Sequence, residues 1–202
     1  MSTALWILAS YLVGATPTSY LAGRLGRGID LREHGSKNLG ATNVYRLLGW
    51  KYAIPVGVID VAKGAVPVAV FGRWAGGPAW LPLALGVAAV LGHMFSPYVR
   101  LRGGKGVATA AGVFLALAPV PLLAAVPVWG VSLWITGYVS LSSIIAVSSF
   151  PMWVRVFEPA QWYAFWASVA LAALIVFAHR GNIRRLLSGT ENRFGTHGGA
   201  AA

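Results

Sequence analysis

Cysteine is absent from the 202 residues, and only five Asp and Glu stand against sixteen Lys and Arg. Without cysteine there is no disulfide, no thiolate metal site and no cysteine nucleophile. Charged residues together make up 10% of the chain, well under the roughly 25% of an average soluble domain. Histidine is also sparse, and no pair is spaced to share a metal ion, so neither a metal nor a cofactor is expected.

Apolar side chains fill the space that charge leaves. They account for 57% of residues, with a mean hydropathy of +0.67. This excludes a disordered chain, a coiled coil and an ordinary soluble domain, and points to an all-α polytopic membrane protein. At about 20 residues per span, the length holds six to eight helices with short loops. A net charge of +11 suits nucleic acid, anionic lipid or phosphorylated solutes as partners. Membrane proteins also concentrate Lys and Arg in cytoplasmic loops, which accounts for most of this charge without nucleic acid.

The first apolar run has no basic residue before it, and Arg24 is the first positive charge. It therefore reads as a retained helix, not a cleaved signal. Spans are expected at about Ala4–Leu21, Tyr52–Phe71 and Ala79–Phe95. Residues 107–136 are apolar throughout but interrupted by Pro119, Pro121 and Pro127; they fit two short helices turning near Pro119, with one broken element as the alternative. Further spans are expected at Ile144–Val156, with an earlier start open to it because Ser and Thr are tolerated in membrane helices, and at Trp162–Ala178. Polar loops lie at 23–49, 96–106 and 137–143, and a polar tail follows from His179. The sum is about seven transmembrane helices, N-terminus outside and C-terminus cytoplasmic. Arg24, Arg27, Arg32, Lys37, Arg46, Lys51, Arg100, Arg102, Lys105, Arg180, Arg184, Arg185 and Arg193 then lie inside, and only Arg73 and Arg155 outside. Trp6, Trp50, Trp74, Trp80, Trp153 and Trp162 sit near expected span ends, as interfacial anchors do.

All the polar segments with chemical potential fall on the cytoplasmic side. Residues 35–46, Gly-Ser-Lys-Asn-Leu-Gly-Ala-Thr-Asn-Val-Tyr-Arg, combine flexible backbone with donors on Ser36, Asn38, Thr42 and Asn43 and the phosphate-matching fork of Arg46. A plain flexible loop leading into a helix is the other reading. In Arg102-Gly103-Gly104-Lys105-Gly106, a lysine among glycines precedes an apolar helix, which is a phosphate site or a positive-inside turn. It lacks the spacing of a nucleotide P-loop. Ser140, Ser142 and Ser143 either cap a helix or face the same anion. His179 and Asn182 either close a helix C-terminus beside lipid-anchoring arginines or position a hydroxyl or phosphate. Asp60 and Lys63 share one helix face and read as a structural ion pair, and His93 as a packing histidine or as a support to residues that touch the ligand.

Together these segments resemble the bacterial integral-membrane acyl-phosphate:glycerol-3-phosphate acyltransferases. The likeness rests on the residues at 35–46, Gly-His at 92–93, Arg-Gly-Gly-Lys-Gly-Val-Ala-Thr at 102–109, Ser-Leu-x-Ser-Ile at 140–144, and His-Arg-x-Asn-Ile-x-Arg-Leu-Leu-x-Gly-Thr-Glu at 179–191. It implies a seven-helix bundle in the bacterial inner membrane with its active site on the cytoplasmic side. The implied reaction moves a fatty acyl group from acyl phosphate to the 1-hydroxyl of glycerol 3-phosphate, giving lysophosphatidic acid and phosphate in phospholipid biosynthesis. One catalytic domain over 1–190 and a flexible tail over 191–202 are expected.

By position, the resemblance implies Ser36, Lys105, Ser142 and His179 as catalytic residues. Asn38, Thr42, Arg46, Gly103, Gly104, Ser143 and Asn182 would bind substrate. Lys37 stands where the family usually has Gly, which changes the loop's backbone options. No His-x4-Asp pair is present, because the residues five beyond His34, His93 and His179 are Leu39, Tyr98 and Arg184; the acyltransferase class built on that pair is excluded. Acyl phosphate is already activated, so orientation and charge stabilisation suffice, and its own oxygen can take the hydroxyl proton. An acyl-serine on Ser142 or Ser143 with His179 as base is the rival mechanism. A transporter for a phosphorylated solute is the rival function, and a lipid-binding scaffold a third. Substrates and membrane lipids are the expected partners; oligomeric state is left open.

Overall fold

The computed structural model describes residues 2–195, and among these there are helices and turns but no strand. The chain divides into two compact units, residues 1–117 and 118–202. The first contains α1 (Thr3–Ala15), α2 (Thr18–Arg27), α3 (Ala41–Leu48), α4 (Trp50–Val66), α5 (Gly72–Ala75), α6 (Leu81–Met94) and α7 (Val107–Leu117). A π-helical turn at Pro67–Phe71 joins α4 to α5, so Trp50–Ala75 is one continuous apolar helix. The second unit contains α8 (Pro119–Thr136), α9 (Val139–Phe157), α10 (Trp162–Ala178) and α11 (Arg180–Leu187).

Four described helical stretches are long and apolar enough to cross a bilayer: 50–75, 81–99, 119–136 and 139–157. A fifth is α10 with α11, bent by 56° between them. At 13 and 11 residues, α1 and α7 fall short of the roughly 20 residues of a full span.

Three sequence expectations are corrected. The first apolar run does not continue to Leu21. It breaks at Thr16, whose ψ of 117° is extended, because the residue before a proline is pushed out of the helical region. About half of the polar loop 23–49 is helical, as the end of α2 and all of α3. The serine-rich turn 137–143 is shorter, with the earlier of the two helix starts realised: α9 begins at Val139, so Ser140, Ser142 and Ser143 lie in its first turns. In the polar tail, residues 180–187 form α11; of the expected flexible stretch 191–202, residues 196–202 lie outside the described residues. The break near Pro119 is where the sequence places it, with Ala118 between α7 and α8.

In the first unit, the helices meet through small residues, since close backbone approach substitutes for a hydrophobic drive within lipid. A methyl group on Gly14 would land on the Ala89 carbonyl, and one on Gly92 on the Tyr11 carbonyl, which locks α1 to α6. Gly64 against Thr109 and Gly112 against Val61 lock α4 to α7 in the same way. Trp6 packs on Phe71 with ring centroids 5.3 Å apart. Leu31, Leu39, Val44, Ala53, Val56 and Val99 form a buried apolar cluster under the polar loop. Burying a leucine there contributes about 1.5–3 kcal/mol, enough to pin a loop that its polar composition would leave mobile.

Candidate active site

The polar loop is organised by side chains that turn inward. Asn43, on α3, is buried: its Oδ1 accepts from the Ser36 N–H at 2.9 Å, and its Nδ2 donates to the carbonyls of Leu31, His34 and Asn38 at 3.1–3.2 Å. The plain flexible loop is thereby excluded, and Asn43 holds the loop and not an anion. Asp30 takes a second set of bonds, from the Arg32 backbone N–H at 3.0 Å and from its guanidinium at 2.6 Å. Arg32 also donates to the Val99 carbonyl at 3.1 Å. Its guanidinium, by hydrogen bonding, holds the Asp30 carboxyl down to about 2, against the opposing effect of burial. Lys37 lies in the left-handed region at φ +56°, where glycine is at ease and a Cβ is strained, which is the physical reason a glycine suits this position.

Ser36, Asn38, Thr42 and Arg46 are all half-buried around α3, with Thr42 in its first turn and Arg46 in its last. Lys105 is half-buried one residue before Gly106, whose φ of +86° turns the chain into α7. The two glycine-bearing motifs meet. A methyl on Gly104 would land on the Leu39 carbonyl and on His93 Nε2, and one on Gly103 on the His93 carbonyl. The N–H groups of Gly103 and Gly104 donate to the carbonyls of Met94 and His93, each at 3.1 Å. These glycines are thus required for close packing, with their amides committed to backbone.

Where the motifs meet, a small, partly open cavity lies inside the first unit. Gly103, Gly104 and Leu39 line it, along with Thr16, Thr18, Ser19, Lys63, His93 and Ser96. Lys63 Nζ lies 2.8 Å from Asp60 Oδ1 and donates to the Thr16 carbonyl at 3.0 Å. Thr18 Oγ1 donates to Asp60 Oδ1 at 2.6 Å, and His93 Nδ1 stands 3.8 Å from the same oxygen. The expected ion pair is present, and it also carries the cavity wall. Sequence reading missed this side of the site. The signal was Thr-Pro-Thr-Ser at 16–19, a polar interruption in an otherwise apolar run.

The second unit holds its own polar cluster. Ser142 and Ser143 donate their hydroxyl protons to the carbonyls of Tyr138 and Val139, at 2.9 and 2.8 Å, and Trp129 Nε1 donates to Ser143 Oγ at 3.2 Å. The helix therefore uses them as internal back-bonds, and neither caps α9. His179 is buried, and its Nδ1 bonds the Ile175 carbonyl at 2.8 Å. A carbonyl only accepts, so the proton sits on Nδ1 and the basic nitrogen of the neutral ring is Nε2. Glu191, to which sequence reading gave no role, accepts from Ser140 Oγ at 2.8 Å, Asn182 Nδ2 at 2.7 Å and Arg185 Nε at 2.7 Å. Burial pushes its carboxyl up, but these three bonds outweigh burial and hold it below the ordinary carboxylate range. No group of three or more described His, Asp or Glu residues is arranged to hold a metal ion.

An apolar helical chain whose glycine motifs pack together beside a lysine-bearing pocket is an integral membrane protein with a candidate site for a polar ligand. Residues 4–189 match the family model for glycerol-3-phosphate acyltransferase. The glycerol-3-phosphate acyltransferase of Desulforudis audaxviator is 49% identical over 187 residues, covering 92% of each chain. Among solved structures, PlsY (YgiH), an integral membrane glycerol 3-phosphate acyltransferase, is 39% identical over 97% of both chains. It superposes with a TM-score of 0.89 in its glycerol 3-phosphate form and 0.86 in its lysophosphatidic acid form. The chain belongs to the glycerol-3-phosphate acyltransferase family and is an enzyme of phospholipid biosynthesis.

Proposed function

We propose that this enzyme transfers a fatty acyl group from acyl phosphate to the 1-hydroxyl of glycerol 3-phosphate. The hydroxyl oxygen attacks the acyl carbon and the bond from that carbon to the phosphate oxygen breaks. The departing phosphate takes the hydroxyl proton, so the products are lysophosphatidic acid and inorganic phosphate. The observation that carries this reading is the meeting of the 35–46 and 102–106 motifs at Leu39 and Gly104, beside a cavity walled by Lys63. Such a site is built for binding and charge stabilisation, which suffice for a donor that is already activated. Ser36 and Lys105 are the residues proposed to act on the reacting groups there. Asn38, Thr42, Arg46, Gly103 and Gly104 form the binding surround. Ser142, His179, Ser143 and Asn182 are proposed to contribute to the same turnover. The Ser142 and Ser143 protons point at backbone carbonyls, which favours direct transfer over an acyl-serine.

The test is acyl transfer by the purified chain in detergent, with labelled glycerol 3-phosphate and either acyl phosphate or acyl-CoA. Product from acyl phosphate alone is expected, with Lys105→Ala and Arg46→Ala slower by about 30- to 1000-fold, as loss of a cation facing buried phosphate implies. Near-normal turnover by either variant overturns the site. Absence of product from both donors turns attention to solute transport, which vesicle uptake measures.

Counting α1 with α2 and α7 as short spans gives the proposed seven crossings, with the N-terminus outside, the C-terminus inside and the motifs facing the cytoplasm of a bacterial inner membrane. The charge asymmetry supports this arrangement. The chain has no native cysteine, so single cysteines at Thr3 and Gly189 report on sidedness without background. Labelling of the first from outside, and of the second only after permeabilisation, is expected.

A further inference from the structure

Ser19 is 2% exposed, lines the cavity, and its hydroxyl has no hydrogen-bond partner among the described residues. A buried hydroxyl without a partner is rare, because it forfeits its bond to water and gains nothing in return. Two neighbouring hydroxyls are already committed. Thr18 donates to Asp60, and Ser96 Oγ donates to the Ala15 carbonyl at 2.5 Å. The carbonyls at the helix break each already accept a hydrogen bond. Ala15 accepts from Ser96, Thr16 from Lys63, and Pro17 from the Leu21 N–H at 3.0 Å. Of the three ammonium protons of Lys63, two are directed at Asp60 and Thr16, which leaves the third. Ser19 and Lys63 therefore each keep a donor at this wall of the cavity. Asp60, the one nearby carboxylate, stands behind Lys63 and is not part of the lining.

We propose that Ser19 is a substrate-binding residue whose hydroxyl, with the Lys63 ammonium, donates to a phosphoryl oxygen seated in this cavity. The inference rests on the reaction proposed above, in which both substrates carry phosphate; which of them supplies the oxygen is decided by experiment.

The full-length enzyme is compared as wild type, Ser19→Ala and Ser19→Thr. Ligand-free Ser19→Ala melts at or above the wild-type temperature, since an orphaned hydroxyl has been removed. The KM of one substrate, acyl phosphate or glycerol 3-phosphate, rises by about tenfold, the loss of a single bond to an anion. The other KM stays put, kcat changes little, and Ser19→Thr restores much of the affinity. The rise in melting temperature that millimolar inorganic phosphate confers on wild type shrinks in Ser19→Ala. A variant with both KM values and the phosphate-induced shift unchanged overturns the proposal, as does a ligand-free melting temperature below wild type with unaltered substrate affinity. If wild type does not use acyl phosphate at all, the proposed reaction fails. The phosphate-induced shift and its dependence on Ser19 still decide the anion site.

Discussion

The Asp60–Lys63 pair permits a sharp test of what holds the cavity wall together. Both side chains are buried, at 2% and 5% exposure, with their charges 2.8 Å apart. Asp60→Asn keeps the shape and an oxygen for Thr18 but leaves the Lys63 ammonium without its counter-charge. Lys63→Met keeps the volume but leaves the carboxylate. Breaking a buried pair from one side costs about 3–5 kcal/mol, because the remaining charge stays desolvated. Removing both charges costs much less than the sum, since no ion is then stranded. We expect each single variant to lose about 3–4 kcal/mol and the double variant to recover about 2–3 kcal/mol of that sum as coupling. The assay is reversible unfolding in mixed micelles, followed by circular dichroism without ligand. Additive losses, with coupling under about 0.5 kcal/mol, would refute the reasoning. The double variant should gain no affinity for phosphate from this coupling, because the cavity has lost its ammonium.

Gly104→Ala should abolish turnover, because its methyl collides with the Leu39 carbonyl and the His93 ring; Gly130→Ala, in α8 with open space around it, should be neutral or stabilising by up to about 1 kcal/mol, as a side-by-side activity and melting assay would show. Lys37→Gly should stabilise the chain by about 1 kcal/mol by relieving a left-handed Cβ, read from the unfolding midpoint. Asp30 titrates near 2 when folded, below its ordinary 3.8. Its contribution of about 1–2 kcal/mol, after allowance for solvent screening, is therefore fully present above pH 5 or so and fades as pH falls toward 2. Asp30→Asn should flatten that part of the stability profile, and an unchanged slope would refute the Arg32 assignment.

Much of the fold was legible because apolar periodicity and proline act locally. Trp162–Ala178 has the expected bounds, and the break at Ala118 follows from Pro119. Proline also misled: Pro17 ends a helix that hydropathy alone carries on to Leu21. The motif residues could be chosen from sequence, but their work could not. Gly103 and Gly104 looked like phosphate-cradling amides, and their N–H groups bond to His93 and Met94. Asn43 looked like an anion donor and proved to be the fastener of the loop. Lys63 looked structural and lines the cavity, as does His93, which sequence left between packing and a supporting role.

Composition and pattern determined on their own that this is a helical membrane protein without thiols, in which lysine, arginine and glycine gather in a few loops. Those properties depend on residue type and on neighbours a few positions away. Only the tertiary structure decided which donors remain available. A hydroxyl or ammonium is spent or spared according to partners distant in sequence, as when Thr18 meets Asp60, Ser96 meets Ala15 and Lys63 meets Thr16 while Ser19 meets none.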